Sequence, residues 1–387
     1  LNQKNIKFRG VCLHHDLGPL GTAVNTAAIR RQLTLLKGLG CNAIRTSHNP
    51  VAPEFLNLCD EMGFMVIEEA FDEWQGKKMK NGYHLYFKDW AKKDLVNMLH
   101  RDRNHPSIVM WSIGNEVPDQ HAKEGYKIAQ YLQNICHTED PTRLVTIGID
   151  GINSALKNNF AAVIDVPGFN YKPKQYFEAY KKLPQGFLYG AETASTVSSR
   201  GIYEFPVLPF KDKNYPNLQS SSYDLEACNW SQVPDDEWAV QDTTSYVAGE
   251  FVWTGFDYLG EPTPYDNFWP ARSSYFGIFD LAGIPKDRYY LYKSRWKENE
   301  NTLHLLPHWN WEGKEGQNVP VFCYTNYPAA ELFINGKSMG IQKKSNQTNQ
   351  NRYRLMWKDV LYEKGTIKVV AYDTNGKAVA NKTIKTA

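Results

Sequence analysis

Short apolar runs alternate with amphipathic stretches from residue 6 to about residue 300. The runs at 6–13, 42–47, 64–69, 108–113, 144–148, 161–166, 187–190 and 246–253 predict eight β-strands. Between the first two, Ile29, Leu33, Leu36 and Leu39 recur at helical spacing, and Gly40 is placed to stop a helix over 27–40. A helix over 53–63 has Pro53 at its start and Gly63 past its end. Further helices are predicted over 87–103, 119–137, 174–182 and 285–296. Eight strand–helix alternations over this length predict an α/β fold: a closed (β/α)8 TIM barrel rather than an open doubly wound sheet. The stretch 193–245 is irregular and carries Pro206, Pro209, Pro216 and Pro234. It reads as an insertion after the seventh strand, on the side where such barrels carry binding loops. Within it, Asp235-Asp236 before Trp238 reads as a helix N-terminus.

After about residue 300 the period changes from helical to two. Residues 319–326, 330–340, 352–357 and 366–385 read as short strands, and Asn335-Gly336 and Asn375-Gly376 are hairpin turn signals. Ile367, Val369 and Ala371 mark one face of such a strand. The prediction is a catalytic-type barrel over 1–300 followed by a small all-β immunoglobulin-like sandwich over 301–387.

Charge adds mainly exclusions. With 44 basic and 42 acidic residues the net charge is +2, which argues for neither a nucleic acid nor an anionic membrane as partner. No apolar run has the length of a membrane span. The six cysteines, Cys12, Cys41, Cys59, Cys136, Cys228 and Cys323, form no CxxC pair and leave the redox compartment open. Aromatic residues make up 13%, with 11 Trp and 23 Tyr, a content that suits sugar rings as well as a packed core. Trp74, Trp230 and Trp269 lie in long connections and are read as packing rather than as stacking platforms.

The stretch "IVMWSIGNE" (108–116) poses the chemical question: an apolar strand runs straight into a carboxylate. Burying a lone carboxylate is costly. In a barrel of this kind the C-terminal strand ends form the active site, so the fourth strand would deliver Glu116 to the catalytic rim. The seventh strand runs through "FLYGAETAS" (187–195) and delivers Glu192 in the same way. Two carboxylates converging on one cleft are what glycoside hydrolysis requires: one protonated donor and one ionised group. Two other readings stay open at this point. Strand-end carboxylates also cap helix N-termini. His14, His15, Asp16, His48, Glu69 and Glu73 could instead belong to a metallohydrolase. Adjacent His14 and His15 point to opposite sides of an extended chain, which disfavours the metal.

The segment "RDRNHPSIVMWSIGNE" (101–116) closely resembles the acid/base signature of glycoside hydrolase family 2, a family that includes β-galactosidases, β-glucuronidases and β-mannosidases. "FRGVCLHHD" (8–16), "NAIRTSHNP" (42–50), "GFNY" (168–171), "GAET" (190–193) and "GEFVWTGFDYLGEP" (249–262) resemble further motifs of the family, in order along the barrel. The tail resembles the β-sandwich found behind the barrel in bacterial β-galactosidase-like members. The resemblance implies a retaining, exo-acting β-glycosidase, with Glu116 as general acid/base and Glu192 as nucleophile. It assigns Asn115 to the sugar 2-hydroxyl, and Arg45 and Tyr171 as partners that keep the nucleophile ionised. His14 and His48 would line the glycone pocket, and Trp253 would lie under the sugar. Trp111, close in sequence, is expected to give Glu116 apolar company.

The resemblance also bears on substrate and cofactor. Glucuronide specialists of the family use an Asn-x-Lys element after the eighth strand. Here Asn267 has no lysine two residues on, and Arg272 is the only cation in that stretch. A neutral sugar is therefore expected, and the tail and "PARSSYFGIFDLAG" (270–283) favour β-galactosides over β-glucuronides or other β-glycosides. A non-catalytic sugar-binding barrel would be expected to have lost one carboxylate, and both are present. No cofactor is expected. A structural magnesium at Glu73 is not favoured, because Trp74-Gln75-Gly76 replaces the histidine that accompanies it in the family. Family members carry further domains before the barrel, whereas this sequence opens at "LNQKNIKFRG", so a chain lacking those N-terminal domains is expected, periplasmic or cytoplasmic in a bacterium.

Overall fold

The eight predicted barrel strands close on themselves in the computed structural model, which describes residues 5–387. Residues 1–4, with which the predicted barrel domain begins, lie outside the described residues. The barrel strands are β1 (Phe8–Leu13), β2 (Ala43–Thr46), β3 (Met65–Glu69), β4 (Ile108–Asn115), β5 (Leu144–Ile149), β6 (Val166–Asn170) and β7 (Leu188–Thr193). Two short strands, β8 (Phe210–Lys211) and β9 (Glu226–Ala227), pair within the insertion, and β10 (Val247–Val252) closes the barrel between β7 and β1. All barrel pairs are parallel.

Helix α1 (Thr26–Leu39) starts where Asn25 accepts from the Ala28 amide at 3.0 Å and ends at Gly40, whose φ of 93° is a left-handed cap. Its Ile29, Leu33, Leu36 and Leu39 are buried, as their spacing predicts. Helices α2 (Pro53–Met62), α3 (Phe87–Asp102), α4 (Gly125–Glu139), α5 (Ile152–Lys157), α6 (Tyr176–Lys182), α7 (Pro234–Thr243) and α8 (Asp287–Trp296) follow. Two predicted boundaries are corrected, and one helix was missed. The sixth strand lies at Val166–Asn170, not 161–166; Ala161 and Ile164 are buried in the turn that leads into it. Pro167 and Gly168 made that strand look like a loop. The fourth helix begins at Gly125, because Pro118 opens a separate short turn first. Short α5 had no clear periodic signal in the sequence.

Behind the barrel, β11 (Leu303–Leu306), β12 (Val321–Thr325) and β15 (Arg354–Trp357) form one antiparallel sheet. The other contains β13 (Ala329–Ile334), β14 (Lys337–Lys343), β16 (Thr366–Tyr372) and β17 (Ala378–Lys385). The inward residues of both sheets, among them Val321, Leu332, Leu355, Ile367 and Val369, share one core, as in an immunoglobulin-like sandwich. The sequence reading missed β11. A short helix, α9 (Asn349–Tyr353), precedes β15.

The sandwich also anchors the barrel insertion. Fully buried Arg354 of β15 donates to Asp235 at the start of α7 at 2.8 Å. Tyr324 donates to the Tyr223 carbonyl at 2.9 Å, and Tyr223 donates to the Pro320 carbonyl at 2.6 Å. Arg288 of α8 pairs with Asp224 at 3.1 Å from the barrel side. The long connection after β7 is therefore a fixed wall, tied to helices and sandwich by buried polar contacts.

Candidate active site

Each strand places alternate side chains inside the barrel. Lower in the barrel these are apolar: Cys12, Ala43, Ile67, Met110, Val166, Tyr189 and Phe251 belong to one inner cluster. Two residues further along the same strands, the inward positions become His14, Arg45 and Glu69, and Trp253 follows β10. The C-terminal mouth is therefore lined with polar and aromatic groups above an apolar plug, the arrangement expected of a catalytic rim.

Simple alternation does not deliver both candidate carboxylates. Ala191 already faces the inner cluster, so Glu192 should face outward. An irregularity in the pairing of β6 with β7 and of β7 with β10 turns Glu192 inward, and Thr193 reaches outward to Glu250 at 3.3 Å. A second irregularity, between β4 and β5 after Ser112, brings Asn115 to the centre instead of Gly114. The chain then turns at Glu116, whose φ of 45° lies in the left-handed region. Such a conformation costs about 1–2 kcal/mol for a residue with a side chain. The Glu116 amide is held by the Gly148 carbonyl at 2.9 Å.

One network joins the two carboxylates. Arg45, completely buried, reaches Glu192 at 2.9 Å, Asn115 at 2.9 Å and Glu69 at 2.6 Å. Tyr171 donates to the other Glu192 oxygen at 2.9 Å. Asn170 donates to Asn115 at 3.0 Å and to Glu116 at 2.8 Å. Gly148 makes room for this crossing: a Cβ there would lie 2.6 Å from the Asn115 oxygen and 2.9 Å from Arg45. His48 bonds Glu69 at 2.6 Å and lies 3.7 Å from Glu192. Its ring stacks on Trp253 with centroids 5.4 Å apart, and His14 meets both rings edge-on. Glu116, Glu192, Asn115, Arg45, Tyr171, His14, His48 and Trp253 thus form one contiguous group.

The two carboxylates sit in different surroundings. Burial, then the charges of Glu192 and Asp150, push the Glu116 carboxyl up to about 7 against the Asn170 hydrogen bond and Lys78. Glu192, by contrast, has a guanidinium on one oxygen and a phenol on the other. Burial and then His48 lower the His14 imidazole to about 4, so that ring is neutral at pH 7. The expected role of Trp111 is corrected. Trp111 lies on the outer face of β4, where its indole donates to Asp140 at 2.9 Å.

Several participants were missed or misread in the sequence. Glu69 appeared only as a possible metal ligand, yet it is fully buried and binds Arg45, His48 and Ser112. Burial opposes its charge, but Arg45 and His48 outweigh it and lower its pKa. Asp72 accepts from Asn115 at 3.2 Å and from Lys78 at 2.7 Å. Asn170 stood inside the quoted GFNY motif, which was the available signal. Trp74 is fully buried and donates to the Ile113 carbonyl at 2.8 Å, as packing requires. Trp230 and Trp269 are instead 43% and 76% exposed, so packing does not describe them.

The residues at Glu73 do not fit a cation. One Glu73 oxygen accepts from the Lys78 and Met79 amides and bonds the His84 ring at 3.0 Å; the other accepts from the His84 amide at 3.1 Å. Despite burial, these amides and the ring hold the carboxyl at about 2. Glu73 thus organises the loop that brings Lys78 to the site. Among the described residues, no group of three or more His, Cys, Asp or Glu is placed to hold a metal, and no helix is long and apolar enough to cross a membrane.

Comparison with known proteins agrees with this layout. Residues 1–301 match the family described as "Glycosyl hydrolases family 2, TIM barrel domain", and residues 316–380 match a domain of unknown function, DUF4982. Beta-galactosidase BoGH2A of Bacteroides ovatus is 42% identical, covering 100% of this chain and 49% of its own length. A putative beta-glucuronidase of Formosa agariphila is 35% identical over 100% of this chain and 38% of its own. The crystal structure of a beta-glycosidase from Bacteroides vulgatus superposes with a TM-score of 0.83 at 37% identity, covering 100% of this chain and 50% of that one. The chain spans about half the length of the curated relatives it matches.

Proposed function

Because the chain belongs to glycoside hydrolase family 2, we propose that it is the catalytic part of a retaining, exo-acting β-glycosidase acting on terminal β-galactosides. The observation that carries this reading is the pairing of Glu116 and Glu192 through one network with unequal surroundings. Glu116, protonated, gives its proton to the leaving oxygen while ionised Glu192 attacks the anomeric carbon. The product is a glycosyl ester on Glu192. Glu116, now ionised, takes a proton from water, which attacks the same carbon and releases the sugar with its anomer retained. Arg45 and Tyr171 bond the two Glu192 oxygens, which supports Glu192 as the attacking group, and in this reading Asn115 hydrogen-bonds the sugar 2-hydroxyl. Every step uses side chains alone, and no cofactor is proposed.

The choice of a neutral sugar rests on the stretch after β10. Asn267 is followed by Phe268 and Trp269, not by a lysine. The Arg272 guanidinium is stacked over the Trp269 ring at 3.9 Å. Beta-glucuronidases among the relatives supply the second reading. Nitrophenyl β-galactoside and β-glucuronide assayed side by side test the proposal: turnover of the galactoside alone is expected, and turnover of the glucuronide alone selects the second reading.

The pH dependence follows from Glu116. The proton donor is intact below its pKa and lost above it, so kcat/KM is expected to fall as pH rises through about 7. A profile flat through this range would remove Glu116 from the acid role.

A further inference from the structure

Trp230 is the large aromatic that the mechanism leaves unused. It lies in the insertion after β7, in a chain whose Trp74, Trp111, Trp238 and Trp309 are all fully buried. A tryptophan that only holds a loop down is normally buried. Trp230 is instead 43% exposed, and it is tethered. Its indole donates to the Ser195 hydroxyl at 3.4 Å, Ser195 donates to Tyr171 at 2.8 Å, and Tyr171 donates to Glu192 at 2.9 Å. The ring therefore stands three hydrogen bonds from the carboxylate that attacks the sugar.

Its backbone is fixed as well. The Asn229 amide donates to Asp212 at 3.0 Å, the Ser231 amide donates to the Cys228 carbonyl at 3.0 Å, and the Ser231 hydroxyl accepts from the Ser195 amide at 2.7 Å. The loop is further tied to the sandwich through Tyr223 and Asp235. Lys211, whose ammonium donates to the Cys228 carbonyl at 3.3 Å, and Asn229, the residue before Trp230, are both exposed at this turn. A partly exposed indole on a hydrogen-bonded loop has the chemistry of a platform for a pyranose ring: the apolar face of the sugar lies on the ring and its hydroxyls meet polar neighbours. Trp269 lacks that tether: the Arg272 guanidinium lies 3.9 Å over its ring, and among the described residues no hydrogen bond joins its indole to the catalytic network.

We propose that Trp230 is the stacking platform for the leaving-group sugar, so that the natural substrate carries a carbohydrate rather than a small alkyl aglycone. The inference rests on the glycosidase reading above, but its test is made on binding and does not need turnover. In a Glu192→Gln background, affinities are measured by calorimetry for methyl β-galactoside and for β-galactosyl disaccharides differing in linkage, lactose among them. Trp230→Ala is expected to weaken the best-bound disaccharide about tenfold more than the methyl glycoside, the equivalent of one aromatic stacking contact. Trp230→Phe should recover most of that difference. Equal weakening of both ligands, no weakening of either, or no disaccharide binding at all overturns the platform. Failure of the unmodified chain to turn over any galactoside, with the tenfold difference still present, overturns the galactosidase reading and leaves the platform standing.

Discussion

Glu116→Gln is expected to lower turnover of β-galactosides with poor leaving groups by about 10²–10⁴-fold, the usual contribution of a positioned general acid. The loss should shrink for leaving groups such as dinitrophenolate, which depart without a proton. The amide keeps the shape of the side chain and can still meet Asn170, so the fold should survive. Stability should hold or rise. Glu116 sits where burial and the charge of Glu192 both resist its ionisation. Replacing its carboxyl by an amide removes that unfavourable ionisation and keeps an acceptor for Asn170. Measured together, turnover against leaving-group acidity and the thermal midpoint separate a chemical role from a supporting one. Equal losses for good and poor leaving groups would argue against proton donation.

Glu69→Gln should have the opposite profile. Glu69 and Arg45 are both completely buried and 2.6 Å apart. Neutralising Glu69 leaves Arg45 with Glu192 as its remaining charged partner at 2.9 Å; breaking a buried pair from one side costs about 3–5 kcal/mol, and the retained partner places the loss at the lower end. The amide keeps one acceptor oxygen, so either His48 on one side or Arg45 and Ser112 on the other meet an NH2 in place of their acceptor. The variant is expected to unfold at markedly lower denaturant. The fraction that folds should also be slow, because Arg45 is then free to shift against Glu192 and His48 to rotate on Trp253. The signature is joint loss: a fallen denaturation midpoint with kcat/KM down for good and poor leaving groups alike. A Glu69→Gln chain of unchanged stability would mean that the pair contributes nothing net to the fold.

The barrel was legible because its strands are apolar on both faces and its helices keep their period, as Ile29, Leu33, Leu36 and Leu39 do. The rim follows strict alternation in the rows from Cys12 to His14, Ala43 to Arg45 and Phe251 to Trp253, residues that the family motifs had singled out. It was not legible where a pairing irregularity breaks the alternation. Glu192 and Asn115 point inward only because β7 and β4 each shift register, and there the family motifs, not the periodicity, identified them. Nearness in sequence misled for Trp111: alternation from inward Met110 turns it to the outer helices, away from Glu116. The partners that hold the site, Glu69, Asp72 and Asn170, could not be read from spacing, because what matters is which strands are neighbours across the mouth. Gly148 carried a similar hidden demand, visible only once Arg45 and Asn115 are seen to cross beneath it. The β6 strand was misplaced because Pro167 and Gly168 speak against a strand locally while barrel closure requires one.

The most direct test of the account is covalent trapping with a 2-deoxy-2-fluoro-β-galactosyl donor bearing a good leaving group, followed by digestion and mass mapping. The account predicts stoichiometric label on the peptide that contains Glu192, with none on the same peptide in the Glu192→Gln chain. Label on Glu116, Glu69 or any other carboxylate, or turnover that yields the inverted anomer with no trapped ester, would contradict it.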